Sequence, residues 1–157
     1  MFFWLLMLIQ AEFEELINDT TKQIDVDILW SEDEDHSPTV EFSVKLTSNA
    51  GYPIVVKGSY NPLIEKLTYA LIHKAAGRIY ALDLGQDHKN PDGNLVGEKH
   101  KHRWKESYRD KEAYVPPDIT APVTDPVKVW QQFCLESKIK HNGIMQDPPP
   151  LQLDLFI

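Results

Sequence analysis

The chain contains a single cysteine, Cys134, so it cannot close a disulfide on itself, and a reducing, cytoplasmic setting is expected. Positive charge is not in excess. The formal net charge is −8, which argues against a protein coated in positive potential for duplex DNA. No apolar run is long enough to cross a bilayer, and no membrane partner is expected. The apolar run at residues 1–9 lacks both a basic leader and a small-residue cleavage site. Met7 is a tidier start, because Leu8-Ile9-Gln10 leads straight into a helix, so residues 1–6 are read as an N-terminal extension. There is no internal repeat, no glycine-rich phosphate loop and no cysteine-based zinc pattern. What remains is a chain of 157 residues with ordinary apolar and charged fractions, enough for one domain that folds alone.

Hydrophobic spacing predicts the elements. Over residues 10–22, Phe13, Leu16, Ile17 and Thr20 recur at helical intervals, with Glu12, Glu14 and Glu15 favouring the N-terminal half. The acidic stretch that follows, from Asp25 to Glu41, reads as a solvated loop between strands or as an acidic surface that engages a partner. Val40, Phe42, Val44 and Leu46 then alternate with polar neighbours, and three further alternating runs at 53–60, 67–71 and 78–84 make a meander. Regular periodicity is lost from Gly85 to Pro126. Asp125-Pro126 opens a last helix, with Val127, Trp130, Phe133 and Cys134 on its buried face. The fold expected is α+β: an N-terminal helix, an antiparallel sheet of four or five strands, an irregular His-rich segment and a C-terminal helix on one sheet face. It occupies residues 7–142, and a proline-containing tail takes up 143–157.

Three of the six histidines fall at 88–102. His100 and His102 are two apart, so in an extended strand both rings share a face with Trp104, while Lys101, Arg103 and Lys105 take the other. The turn Asn90-Pro91-Asp92-Gly93 can fold His88 back against the pair. Two chemistries suit these residues. In one, His88, His100 and His102, or Glu106 in place of His88, bind a divalent transition metal that activates water. In the other, His88, His100, His102 and Glu106 act as general acids and bases on a phosphodiester. The basic run from Lys99 to Lys111 then holds the phosphate. His36, His73 and His141 read as structural or solvated, and Cys134 as core.

The tail ends in Gln152-Leu153-Asp154-Leu155-Phe156-Ile157 behind Pro148-Pro149-Pro150. The pentapeptide QLDLF resembles the consensus by which bacterial polymerases and repair proteins dock on the replication sliding clamp. Leu155 and Phe156 suit an apolar pocket, Gln152 its rim, and a proline run loses little entropy on binding. The competing reading is a terminal strand, since Leu151, Leu153, Leu155 and Ile157 alternate. A second resemblance rests on His88-x-Asn-Pro-Asp-Gly, His100-x-His-x-x-x-Glu106, the Tyr-Arg-Asp-Lys stretch ending at Lys111 and Tyr114-x-Pro116. This pattern is similar to an uncharacterised domain family scattered through bacteria, archaea and their mobile elements. It implies one α+β domain and a setting of genetic conflict, and assigns no activity.

Two functions follow as expectations. The first is a prophage or mobile-element binding protein acting on a host machine. It would dock on the sliding clamp through residues 152–156, or inhibit a host defence system as an anti-CRISPR does. The second is a His-dependent phosphodiesterase, a toxin-type ribonuclease with RNA as its partner. A structural accessory factor with no site is the third and plainest possibility.

Overall fold

The structure is a computed structural model that describes residues 8–151. The extension at 1–6 and the peptide at 152–156 therefore lie outside the described residues. Helix α1 (Gln10–Asn18) buries Phe13, Leu16 and Ile17. It stops four residues short of the range that its apolar spacing predicts, and Lys22 caps it instead of extending it. The buried Lys22 ammonium donates to the carbonyls of Leu16, Ile17 and Asp19 at 2.7, 2.9 and 2.6 Å. Those are carbonyls that a helix C-terminus leaves without partners.

A seven-stranded sheet carries the rest. In spatial order it is β2 (Ser31–Glu32), β3 (Val40–Lys45), β4 (Ile54–Asn61), β5 (Lys66–His73), β6 (Gly77–Leu84), β7 (Lys99–Arg103) and β8 (Ala113–Tyr114), every pair antiparallel. The central meander falls where alternation predicts it. The expected four or five strands become seven because β2 and β8 have two residues each, too few for a period to register. β7 lies in the stretch that lacks an apolar pattern, since both of its faces carry polar side chains.

The inner face is apolar. Phe42, Tyr69 and Tyr80 point at helix α2 (Pro126–Ser137), where Trp130 and Phe133 pack on Tyr69 with ring centroids 5.1 and 5.7 Å away. Asp125 caps α2 by accepting from the Lys128 backbone N–H, as its sequence position foretells. Gly58 lies opposite Phe42 in register, and a Cβ there would stand 2.0 Å from the phenyl ring, so only glycine lets that ring lie flat on β4. Cys134 is core, and burial pushes its thiol up to about 12.

After α2 the chain does not leave the domain at once. A second, two-stranded sheet pairs β1 (Gln23–Ile24) in parallel with β9 (Lys140–His141), and Ile28 bridges to the buried Met145. Among the described residues, no helix is long and apolar enough to cross a membrane.

Candidate metal centre

Pleating of β7 puts the rings of His100 and His102 on the outer face of the sheet, where they are 1% and 2% exposed. Asp83, the register partner of His100 on β6, lies between them. Its Oδ2 is 3.3 Å from His100 Nε2 and 3.2 Å from His102 Nε2, and its Oδ1 accepts from the Thr68 hydroxyl at 2.6 Å. Burial would raise the Asp83 carboxyl. The hydrogen bonds from His100, His102 and Thr68, with the nearby Arg78 charge, outweigh it and hold the group well below the usual carboxylate range. Burial likewise opposes a charged His100, but the Asp83 carboxylate and the Gly97 carbonyl prevail and raise that imidazole above its ordinary value.

His88 arrives on the connection between β6 and β7. Residues 88–96 form a small hairpin, with His88 O accepting from Val96 N–H, Lys89 bridging to Leu95 and Gly93 N–H closing the tip onto Asn90 O. The Asn90 side chain docks this hairpin on β8, donating to Ala113 O at 2.9 Å and accepting from Ala113 N–H at 2.8 Å. His88 thereby comes to rest with its ring centroid 4.5 Å from His102 and 5.5 Å from His100.

Each of the three rings has one nitrogen already committed. His100 Nδ1 donates to Gly97 O at 2.8 Å, His102 Nδ1 to Asp110 O at 2.6 Å, and His88 Nε2 to Lys111 O at 2.6 Å. A carbonyl can only accept, so these are N–H groups, and the other nitrogens turn inward. One nitrogen from each ring lies within 4.8 Å of one from each of the others. Unless they carry second protons, those inward atoms are lone pairs, and Asp83 adds another. Two of these nitrogens face Asp83, so the cluster calls for positive charge there, either as a protonated imidazole or as a metal ion. Metal-binding histidines have this habit of anchoring the far nitrogen on a carbonyl or carboxylate. The Asp83-to-imidazole distances of 3.2 and 3.3 Å also match the edge of a tetrahedron with metal–ligand bonds of about 2.0–2.1 Å, roughly 3.3 Å.

Glu106 does not join the three histidines. Its carboxylate accepts from the Gln10 backbone N–H at the start of α1. Trp104, expected beside the pair, is buried and donates its indole N–H to Leu8 O. The basic run is largely spent elsewhere. Lys99 donates to Ile119 O, Lys101 pairs with Asp118 and Glu136 under α2, Arg103 pairs with Glu14, and Lys105 with Glu112. Lys101 and Arg103 face away from the imidazoles, so this run offers little to hold a phosphate beside them.

Asp83 was not among the site residues expected from the sequence, although a signal was present. It is the one charged residue among the buried residues at 79–84, and a lone carboxylate there requires a partner. Arg78 is tied into the same network, with its Nε 2.6 Å from Asp110 Oδ2 and a terminal nitrogen 3.7 Å from Asp83 Oδ2.

Residues 8–139 match a family of unknown function, DUF6978. The chain belongs to that family. The DUF6978 match includes Asp83, His88, His100 and His102 together with the carbonyls that hold them, and it stops just before β9. No curated protein and no solved structure matches the chain.

Proposed function

We propose that this DUF6978 protein is a metal-binding protein whose centre is a divalent transition metal held by His88, His100, His102 and Asp83. One observation carries the reading: three far nitrogens fixed on backbone carbonyls and a near nitrogen from each ring within 4.8 Å of the others, two of them beside the Asp83 carboxylate. Three imidazoles and a carboxylate suit zinc or another first-row divalent ion. Asp83, locked by Thr68, orients the two β7 imidazoles, and the 88–96 hairpin supplies the third. The acid–base alternative is less well served. An acid and a base must flank a phosphate, and rings 4.9 Å apart that share one carboxylate oxygen leave no room for it.

Purified protein is expected to carry about one transition metal per chain, and chelation to lower its melting temperature. Binding should tighten as the pH rises, because the ligands are neutral imidazoles and His100 holds its proton more firmly than usual. Metal-free protein whose melt ignores chelators and added zinc would overturn the reading.

A second reading concerns the tail, and the resemblance of QLDLF to a clamp-docking peptide supports it. The family match ends at residue 139 and does not cover QLDLF at 152–156. On this reading the peptide docks the domain on a bacterial sliding clamp, as a prophage or mobile-element product would act on a host machine. A synthetic peptide of residues 147–157 is expected to bind the clamp in the micromolar range, about −8 kcal/mol. Leu155→Ala with Phe156→Ala should abolish that binding, and a wild-type peptide that does not bind removes the idea.

A further inference from the structure

A β-bulge decides which side chains stand beside the centre. Tyr80 pairs with Leu71 and Arg78 with Ile72, so Ile79 is an extra residue on β6 with no partner on β5. The extra residue shifts the alternation of faces. Tyr80 stays on the inner face against Phe133, whereas Arg78 turns to the outer face with Ala81 and Asp83. Regular pleating would have aimed Arg78 inward beside Tyr80. Ala81 lies between Arg78 and Asp83 on the outer face, and its small side chain leaves room for the guanidinium to lie along the strand. That group meets two carboxylates: a terminal nitrogen is 3.7 Å from Asp83 Oδ2, and Nε is 2.6 Å from Asp110 Oδ2. The Asp110 backbone carbonyl holds His102 Nδ1, and the next carbonyl, of Lys111, holds His88 Nε2. Both carbonyls follow directly on Arg109, whose φ of 56° is uncommon for a residue with a side chain. Such a turn must be held by its surroundings. Among the described residues, Arg78 is the one side chain that reaches the Asp110 carboxylate.

We infer that Arg78 is the positioning residue of the centre, fixing Asp83 directly and the imidazoles of His102 and His88 through Asp110. The inference rests on the metal reading above. Charge alone would give Arg78 the opposite part. A guanidinium this close repels a divalent cation, so removing it would tighten binding if charge decided. Asp110 balances most of that charge, which leaves position as the larger effect. An imidazole binds well only when its lone pair points at the ion, and the carbonyl on its far nitrogen sets that direction. Lysine is a poor substitute, because its ammonium is a point charge while the planar guanidinium fork serves two carboxylates at once.

The test is zinc affinity, measured on the full chain by competition with a chromogenic chelator, for wild type, Arg78→Ala, Asp110→Ala and the double variant. Arg78→Ala should weaken binding about 10–100-fold, the usual effect of losing a partner that orients a ligand. The double variant should lose far less than the product of the two single losses, because the pair acts as one unit. Arg78→Lys should recover only part of the affinity. Cobalt-loaded Arg78→Ala should show a visible spectrum of altered intensity, the mark of a changed ligand geometry. The melt of the metal-free protein should move by less than about 2 °C, since an ion pair 33% and 26% exposed contributes little by itself. Unchanged or tighter zinc binding by Arg78→Ala would overturn the inference and leave the metal reading standing. A metal-free melt lowered by many degrees would also overturn it, by making Arg78 a general prop of the fold. A wild type that holds no zinc would overturn the metal reading and this inference with it.

Discussion

Lys101→Met is expected to destabilise the protein by about 3–5 kcal/mol, the usual cost of removing one partner from a buried ion pair. Lys101 is fully buried between β7 and α2, 2.7 Å from Asp118 Oδ2 and 2.8 Å from Glu136 Oε2. Glu136 also accepts from the hydroxyls of Tyr80 and Tyr114. Burial alone would raise the Glu136 carboxyl, but the Lys101 ammonium and the Tyr80 hydroxyl bring it down to about 2. Its stabilising contribution is therefore fully present above its unfolded value of 4.5 and is lost as the pH falls toward 2. Without Lys101 the loss begins at higher pH. In a domain of this size the melting temperature should drop by roughly 10 °C. Adding Glu136→Gln should recover a good part of it, because the stranded charge is then gone. A drop below about 2 °C in the single variant would mean that water reaches this network freely.

Asp83→Ala should act on metal and on stability together. Loss of this ligand carboxylate is expected to weaken metal binding by at least about 100-fold, more than an outer-shell partner is worth. In the metal-free protein the change should cost about 2–3 kcal/mol, the worth of one or two charge-assisted hydrogen bonds. The pH dependence has a definite sign. The lowered Asp83 contributes stability above roughly pH 4, its unfolded value, and loses it as the pH falls through its folded value. The raised His100 contributes fully below 6.5 and loses that contribution as the pH rises through its folded value. The difference in stability between wild type and variant should therefore be largest between about pH 4 and 6.5. Calorimetry across that range checks it, and a pH-independent difference would show that Asp83 acts through packing alone.

The helices, the meander and the strand character of His100-x-His102 were legible because each is a local pattern: a cap followed by an apolar stripe, or alternation over five or more residues. The His88 hairpin was also foreshadowed, since Asn-Pro-Asp-Gly makes a turn wherever it occurs. The partners were not legible. Asp83 meets His100 only through the β6–β7 register, and the counterions of Lys101 and Arg103 come from Asp118, Glu136 and Glu14 on other elements. A basic run whose acids are distant in sequence looks like an open patch until the chain is folded. The edge strands β2 and β8 were hidden for a simpler reason: two residues have no period.

The parallel pairing of β1 with β9 and the Ile28–Met145 bridge join residues 23–28 to residues 140–145. Contacts of such long sequence separation form late, because most of the chain must be ordered before they are worth making. During synthesis the meander can collapse while later residues are still inside the ribosome, but the domain cannot close until residue 145 has emerged. Until then the edge of β1 has no cover. That interval is when the nascent chain is most open to aggregation or to capture by a chaperone.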